Sequence, residues 1–291
     1  MTLHLWHSLA CGVCGIFLLR PFVAFSRLWH WRHRSRSVCS LFLAATLLLL
    51  AGCGHRRHRE DNRPQYTGPG QATVQYFGHG CFRVSSSIGL SVVIDPFNPA
   101  VLNYPVKPVS IPGDVVLITH EDDTADDTDL VSGSPQIFRS SMGVGVDRAS
   151  GILVRGVRTG SENYAASSKL NVAYVWSMDG VRFCHLGAIE DAITLSESLQ
   201  IGPVDVLFLP AGGPPAFTDD KRRQTLERLK PRLIVPMMYA TRYSGRVPLR
   251  PLGDWLSRLH NLNVVRIPGT QFTVSHATLP ATPTVYILST P

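Results

Sequence analysis

Residues 115–127 read Val-Val-Leu-Ile-Thr-His-Glu-Asp-Asp-Thr-Ala-Asp-Asp, and this stretch decides how the rest of the chain is interpreted. An apolar run closed by Thr119 and His120, and then by several carboxylates, predicts a short buried strand that ends at a polar rim. In α/β folds, the loop after such a strand commonly carries the binding and catalytic residues. The stretch therefore predicts both a buried sheet and a functional edge.

The flanking sequence predicts more strands and a few helices. Residues 73–77, 81–85 and 90–94 read as three short strands, with a tight turn at Gly78-His79-Gly80 between the first two. Residues 219–229 (DDKRRQTLERL) predict an amphipathic helix with acidic residues in its first turn. A short helix is predicted over residues 124–131 and another helix over residues 252–262, and further strands alternate with turns up to residue 288.

Several motifs carry a resemblance to a known family. Residues 76–82 (YFGHGCF), 93–97 (VIDPF) and 116–120 (VLITH) resemble the opening of the metallo-β-lactamase superfamily. The similar branch contains the ascorbate-phosphate lactonases and the phospholipase D that acts on N-acyl-phosphatidylethanolamine. The resemblance covers residues 71–288 and implies an α/β fold, a four-layer αββα sandwich.

The family's first metal motif, H-x-H-x-D-H, is only partly kept. By this resemblance His120 fills the first histidine, and Asp122 stands where the second belongs. Thr124 replaces the aspartate and Ala125 replaces the last histidine. The resemblance therefore places His120 and Asp122 as the residual metal ligands.

Two later signatures are also altered. The sequence His-Leu-Gly-Ala at 185–188 resembles His-Leu-Gly-Asp, so Ala188 occupies the position of the aspartate that bridges the metals. The sequence Pro-Met-Met-Tyr at 236–239 resembles Pro-Met-His-Tyr, so Met238 replaces the last ligand. Open zinc sites keep three protein ligands, so we expect no metal cofactor.

These substitutions predict an inactive member of a hydrolase superfamily, with a binding or scaffolding role. The alternative is a metal-dependent hydrolase of phosphodiester or lactone type, with one Zn or Mn ion on His120 and Asp122 and with Glu162 or Glu190 as candidates for a third ligand. A third hypothesis is an apolar-ligand pocket in the former metal cavity, lined by Met237, Met238 and Ala188.

The front of the chain predicts a lipid anchor. Residues 41–50 (LFLAATLLLL) follow several arginines and end in Leu-Ala-Gly-Cys at 50–53, which resembles a bacterial lipobox with Cys53 as the lipidated residue. A short membrane anchor with an incidental cysteine is the alternative. We therefore expect residues 1–52 to be a leader, 53–71 a polar linker and 72–291 the folded domain. By resemblance to lipoprotein sorting in Gram-negative bacteria, Gly54 in place of an aspartate after Cys53 implies the outer membrane, with the domain facing the periplasm.

Charge and cysteine content limit the other possibilities. The formal net charge is +7, but five of the 28 basic residues lie in the leader, which has no acidic residue. No nucleic-acid-binding motif occurs, so the partner we expect is a membrane, reached through the lipid, while any protein or small-molecule partner is left open. Cys81 and Cys184 lie in strand-like apolar contexts, which favours buried free thiols over a disulfide.

The lipobox predicts a specific defect when its cysteine is replaced. In a Cys53→Ser chain we expect fatty-acid labelling and the membrane-bound fraction both to be lost, because the acceptor thiol is gone. The checks are metabolic labelling with a palmitate analogue and fractionation of the envelope. Cys39→Ser, a cysteine in the same leader, is the control and should leave both unchanged. Labelling that survives in Cys53→Ser would contradict the assignment.

Overall fold

The computed structural model describes residues 70–160, 170–259 and 262–291, so the leader, Cys53 and most of the linker lie outside the described residues. Two large sheets face each other. The first contains β1 (Ala72–Gly78), β2 (Cys81–Ser85), β3 (Ser91–Ile94), β5 (Val115–Leu117), β7 (Gln136–Phe138) and β15 (Gln271–Val274). Its strand order is β15-β1-β2-β3-β5-β7.

Hydrophobic patterning explains how this first sheet is built. Residues of β1 alternate between buried and half-buried, as expected for a strand with one face against a core. The strands β3 and β5 are buried at every residue and pair in parallel. Parallel strands covered on both faces read as continuous apolar runs, which is the pattern seen in residues 115–117.

The second sheet has eight strands in the described part of the chain, in the order β14-β16-β13-β12-β11-β10-β9-β8. They are β8 (Gly145–Ala149), β9 (Ile152–Thr159), β10 (Asn171–Met178), β11 (Val181–His185), β12 (Val206–Pro210), β13 (Leu233–Met237), β14 (Asn263–Ile267) and β16 (Thr284–Leu288). From β8 to β11 neighbours are antiparallel, and from β11 to β14 they are parallel. The ends of β11 and β13 therefore share one edge of the sheet.

Helices cover the outer face of the second sheet. They are α1 (Leu195–Ile201), α2 (Asp219–Leu229) and α3 (Leu252–Leu256). Buried residues of all three pack with outward-facing residues of β9 to β13 in one cluster. A capping box between Thr194 and Glu197 begins α1, which satisfies backbone N–H groups that would otherwise lack partners. No described helix is long and apolar enough to cross a bilayer.

The outer face of the first sheet is covered by irregular chain between β3 and β7. This segment holds the small sheet of β4 (Ile111–Pro112) and β6 (Val131–Ser132), together with a 3₁₀-helix at Thr128–Leu130. Its apolar residues, such as Phe97, Leu102 and Leu130, form a separate cluster with Val93 and Val116 of the sheet. The predicted α/β sandwich is confirmed.

Local predictions had mixed outcomes. The helix predicted at 219–229 is α2 with the same bounds. The helix predicted over 124–131 is wrong, because the side chains of Asp122 and Asp127 accept the backbone N–H groups two residues later and form turns. The helix predicted over 252–262 is α3, which ends at Leu256 instead of reaching residue 262. Both domain cysteines are free and buried, as predicted.

An aromatic group joins the two sheets. Phe208 of β12 lies 4.5 Å from Phe82 of β2, measured between ring centroids, and 6.3 Å from Trp176 of β10. Phe183 of β11 stacks on Trp176 at 5.5 Å. All four side chains are at most 1% exposed, so this group is a central part of the core between the sheets.

Phe208→Ala should lower the free energy of unfolding by about 3–5 kcal/mol, because it removes a buried ring and leaves a cavity between the sheets. Denaturant unfolding of the soluble domain measures this loss. The control is Leu199→Ala on α1, where the side chain is 75% exposed and the change should stay within about 0.5 kcal/mol. Equal losses in the two variants would contradict this account of the core.

Candidate functional site

Loops from both sheets meet at one rim of the sandwich. The parallel strands β3 and β5 end there in the first sheet, and β11 and β13 end there in the second. Hydrogen bonds connect the loops: the Met238 N–H donates to the carbonyl of His79 (3.0 Å), and His185 Nε2 lies 3.0 Å from the carbonyl of Gly80. In α/β sheets the edge at the carboxyl ends of the strands is the usual position of a site.

Asp95 is a fully buried carboxyl group at this rim. The backbone N–H of Thr119 donates to Oδ1 at 2.8 Å, and the Thr119 hydroxyl bonds Oδ2 at 2.7 Å. Burial raises the pKa of Asp95 to about 8, and the two hydrogen bonds only partly oppose this shift. Its backbone is left-handed, with φ of 46°, an uncommon conformation for a residue other than glycine. Such conformations are concentrated at functional sites.

His185 lies beneath the rim and is fully buried. Its Nε2 donates to the carbonyl of Gly80, and its Nδ1 accepts the N–H of Gly187 at 3.2 Å, so the ring is neutral with the proton on Nε2. Burial lowers the pKa of His185 to about 3. The 3.7 Å contact between His185 Nδ1 and Asp95 Oδ2 therefore joins two neutral groups at pH 7 and is not an ion pair.

His79 sits in the turn between β1 and β2. It is 3% exposed, has a left-handed φ of 52°, and its Nδ1 has no hydrogen-bond partner in the described part of the chain. Burial, with a contribution from His120, lowers the pKa of His79 to about 3. Its neighbour Gly80 passes close to Met238, because a Cβ at residue 80 would lie 2.8 Å from the Met238 methyl carbon. The turn is therefore fixed by packing.

His120 and Asp122 are the closest pair of potential metal donors at the rim. His120 Nε2 lies 3.6 Å from Asp122 Oδ1, and His120 Nδ1 lies 2.8 Å from the Thr119 hydroxyl. Asp122 also accepts the N–H and the hydroxyl of Thr124, at 2.8 and 2.6 Å. Burial lowers the pKa of His120. Partial burial opposes ionisation of Asp122, but His120 and the Thr124 hydrogen bonds outweigh it and lower its pKa.

The spacing of this pair fits one metal ion. Two donors that each lie about 2.1 Å from one metal are about 3.4 Å apart in tetrahedral geometry and about 3.0 Å apart in octahedral geometry, and the observed 3.6 Å is slightly longer than both. Across residues 70–160, 170–259 and 262–291, however, no three His, Cys, Asp or Glu side chains are arranged to hold a metal. Glu190 is therefore not a third ligand here, and Glu162 lies outside the described residues. The described residues do not fit a two-metal centre.

Three of the four substituted positions, residues 125, 188 and 238, have no side-chain oxygen or nitrogen that could bind a hard metal. Ala125 is buried, and its N–H donates to the carbonyl of Asp122 at 2.9 Å. The Ala188 N–H donates to Asn171 Oδ1 at 2.8 Å. Met238 is 2% exposed and left-handed, with φ of 50°.

The sequence did not reveal the roles of Asp95, Thr119 and Asn171. Asn171 donates to the Thr159 hydroxyl and to the carbonyl of Leu186, at 2.7 and 2.8 Å, and so holds the loop that carries Ala188. A signal existed for the first two, because Asp95-Pro96 and Thr119-His120 each follow a buried strand. No comparable signal marks Asn171.

The buried groups predict how stability depends on pH. Unfolded Asp95 ionises near pH 4 but folded Asp95 near 8, so stability should fall as pH rises from about 6.5 to 8. Below about 6.5 the unfolded chain protonates His79 and His185, whose folded pKa values are about 3. Below about pH 6.5 the unfolded chain binds up to two extra protons on these histidines, whereas the folded chain binds one extra proton on Asp95. The net effect is that the free energy of unfolding should decrease as pH falls below about 6.5.

The check is denaturant unfolding between pH 5 and 8.5. We expect a maximum near pH 6.5 and a loss above it that disappears in Asp95→Asn. Asp220→Asn, at a side chain that is 82% exposed, is the control and should keep the wild-type profile. The same decline above pH 6.5 in Asp95→Asn would show that another group is responsible.

Comparisons with known proteins agree with this architecture. The family model described as "Beta-lactamase superfamily domain" matches residues 73–238. A metal-dependent hydrolase of Thermococcus onnurineus is 29% identical over 198 residues, which are 58% of this chain and 84% of the relative. One from Archaeoglobus fulgidus is 27% identical over 194 residues, with 58% and 83% covered.

A solved structure supports the same conclusion. It is a proposed Zn-dependent hydrolase of the metallo-β-lactamase superfamily from Thermotoga maritima, with a TM-score of 0.59 and 24% identity. The match covers 76% of this chain and 100% of the other, and at this identity it concerns the fold alone. With the family match over residues 73–238, the chain belongs to the metallo-β-lactamase superfamily.

Proposed function

We propose that this chain is a metal-dependent hydrolase that works with one divalent metal held by His120 and Asp122. The observation that carries this proposal is the 3.6 Å separation of His120 Nε2 and Asp122 Oδ1 at the rim. Relatives at 27–29% identity are named metal-dependent hydrolases, which favours this alternative over the non-catalytic scaffold. The altered residues at 124, 125, 188 and 238 favour one metal over two.

Two protein ligands favour a hard, well-hydrated cation. Zinc sites that remain open for catalysis keep three protein ligands, whereas Mg²⁺ and similar ions retain several waters and accept one or two protein carboxylates. The imidazole of His120 suits Zn²⁺ and the carboxylate of Asp122 suits Mn²⁺, so the donor types alone do not separate the two ions. The small number of protein ligands is the reason that we propose Mn²⁺ over Zn²⁺. When bound, such a metal supplies Lewis acidity that activates water as a nucleophile.

The chain's own residues would bind and orient. Asp122 has a side chain that is 58% exposed, while that of His120 is 10% exposed, so the site is open on the carboxylate side. A substrate could approach the site from that side. We propose a phosphodiester or a lactone as the substrate class, because both present oxygens to a hard cation and are cleaved by activated water.

We also propose a cellular setting for this activity. With a lipid on Cys53, the linker of residues 53–71 would hold the domain at a bacterial outer membrane, facing the periplasm. Two attached chains or more are needed for stable anchoring, since one acyl chain gives only reversible binding.

The proposal predicts that metal binding depends on two residues. Purified without chelator, the soluble domain should carry one Mn²⁺ or accept one in calorimetric titration. His120→Ala should lose binding, and Asp122→Ala should weaken it at least tenfold, since each removes one of two protein donors. Asp123→Ala, an exposed carboxylate of the same loop, is the matched control and should bind as the wild type does.

The opposite result is equally informative. A wild-type domain that binds no divalent metal in mass spectrometry or calorimetry would overturn the one-metal hydrolase and leave the non-catalytic binding role. Binding that survives His120→Ala would show that the metal sits elsewhere.

A further inference from the structure

We propose that Thr119 is a positioning residue that sets which ring nitrogen of His120 carries the proton, through the hydrogen-bonded chain Asp95–Thr119–His120. The inference deepens the proposed function and rests on it for its purpose, because His120 Nε2 can bind a metal only when it carries no proton. The tautomer of the His120 imidazole can be measured in the absence of metal.

The chain of contacts is short and buried. Thr119 Oγ1 lies 2.7 Å from Asp95 Oδ2 and 2.8 Å from His120 Nδ1. Both distances are typical of good hydrogen bonds. Thr119 and Asp95 are fully buried and His120 is 8% exposed, so water does not compete strongly for these groups.

One hydroxyl proton links the two contacts. A threonine hydroxyl donates once, so Thr119 can donate to Asp95 or to His120 but not to both. When Asp95 is ionised, its carboxylate can only accept hydrogen bonds. The Thr119 hydroxyl therefore donates to Asp95, and its oxygen accepts a hydrogen bond from the Nδ1–H of His120. The lone pair of His120 is then on Nε2, the nitrogen that faces Asp122.

The reverse arrangement follows when Asp95 is protonated. Its proton on Oδ2 is donated to Thr119, whose hydroxyl then donates to His120 Nδ1. His120 must now carry its proton on Nε2, where it points toward the oxygens of Thr124 and Asp122 at 3.3 and 3.6 Å. The two states differ in the direction of every hydrogen bond along the chain.

The groups near Asp95 Oδ2 do not compete with Thr119 for a hydrogen bond to this oxygen. His185 Nδ1, 3.7 Å away, already accepts the N–H of Gly187 and has no proton to give. Burial raises the pKa of Cys81, so this thiol stays neutral. The other nearby charge is Asp122, whose repulsion contributes to the raised pKa of Asp95.

The backbone also fixes the Thr119 hydroxyl in place. The carbonyl of Thr119 accepts the N–H of Val172 at 2.8 Å. Gly187, left-handed at φ of 62°, passes so close that a Cβ there would lie 2.5 Å from Oγ1. A side chain at residue 187 would therefore displace the hydroxyl, and the rotamer is held by this packing.

On the rim side, the competing contacts are weaker. The Thr124 hydroxyl donates to Asp122 at 2.6 Å and so offers His120 only an acceptor, which favours a proton on Nε2. That contact is 3.3 Å long, compared with 2.8 Å at Nδ1. With Asp95 ionised, the shorter and more buried bond decides the tautomer.

The test is ¹⁵N NMR of the His120 ring in the chelated domain at pH 9, where Asp95, with a pKa of about 8, is mostly ionised. We expect the Nδ1–H tautomer in the wild type and in Thr119→Ser, which keeps the hydroxyl. In Thr119→Val the ring should shift to the Nε2–H form that predominates in water. Assignment of the signal by its loss in His120→Gln is the control.

Asp95→Asn gives a second test in the same NMR measurement. Its amide NH₂ can only donate toward Thr119, so the chain should run in reverse and give Nε2–H at the same pH. A wild type that is Nε2–H at pH 9, or Thr119→Val and Asp95→Asn rings unchanged from the wild type, would overturn the proposal.

Metal affinity separates this proposal from the proposed function. If both hold, Thr119→Val should weaken Mn²⁺ binding about 10–100-fold at pH 9, where the wild-type Asp95 is mostly ionised, as loss of a ligand's hydrogen-bond partner usually does, and Thr119→Ser should restore it. At pH 7, where Asp95 is mostly protonated, the difference should be smaller. If no metal binds the wild type while the tautomers behave as stated, the positioning role stands and the one-metal hydrolase fails. If metal binds but Thr119→Val leaves its affinity unchanged, the positioning role fails alone.

Discussion

The rim of this molecule depends on one buried carboxyl group. Asp95 directly follows β3, donates its own N–H to the carbonyl of Leu117 (3.0 Å) and is hydrogen-bonded to both the N–H and the hydroxyl of Thr119. The two parallel strands are thereby joined at the point where each gives way to a loop. Because the carboxyl is buried, losing a partner would leave an unsatisfied polar group in a low-dielectric site, which is costly. The loop that carries His120 is positioned by this constraint.

Much of the fold could be predicted because local patterning and tertiary packing agree. The runs at 81–85 and 115–117 and the helix at 219–229 bury the residues that their periodicity indicates. The edge strand β8 was missed, since Gly145–Ala149 is mostly exposed and becomes a strand only by pairing with β9. The helix predicted at 124–131 failed because aspartate side chains compete with helical hydrogen bonds, an effect that a count of residue types does not capture.

The site could be predicted only in part. His120 and Asp122 follow a buried strand directly, so their position at the rim could be read from the sequence. The Asp95–Thr119 connection spans 24 residues, and no local pattern shows which oxygen meets which hydrogen. The protonation of His185 likewise depends on the carbonyl of Gly80, which is 105 residues away in the chain. Such properties arise from the packing of the two sheets against each other.

At Met238 the side chain differs from the histidine of the similar family motif, while the backbone makes a well-defined contact. Its left-handed conformation is rare for a long unbranched side chain, yet its N–H still bonds His79 and its side chain still packs on Gly80. The bond from the Met238 N–H to the His79 carbonyl helps to set the path of the main chain, and any residue except proline could make it. A residue with a metal-binding side chain could therefore stand at position 238 without removing the backbone hydrogen bond that holds this loop.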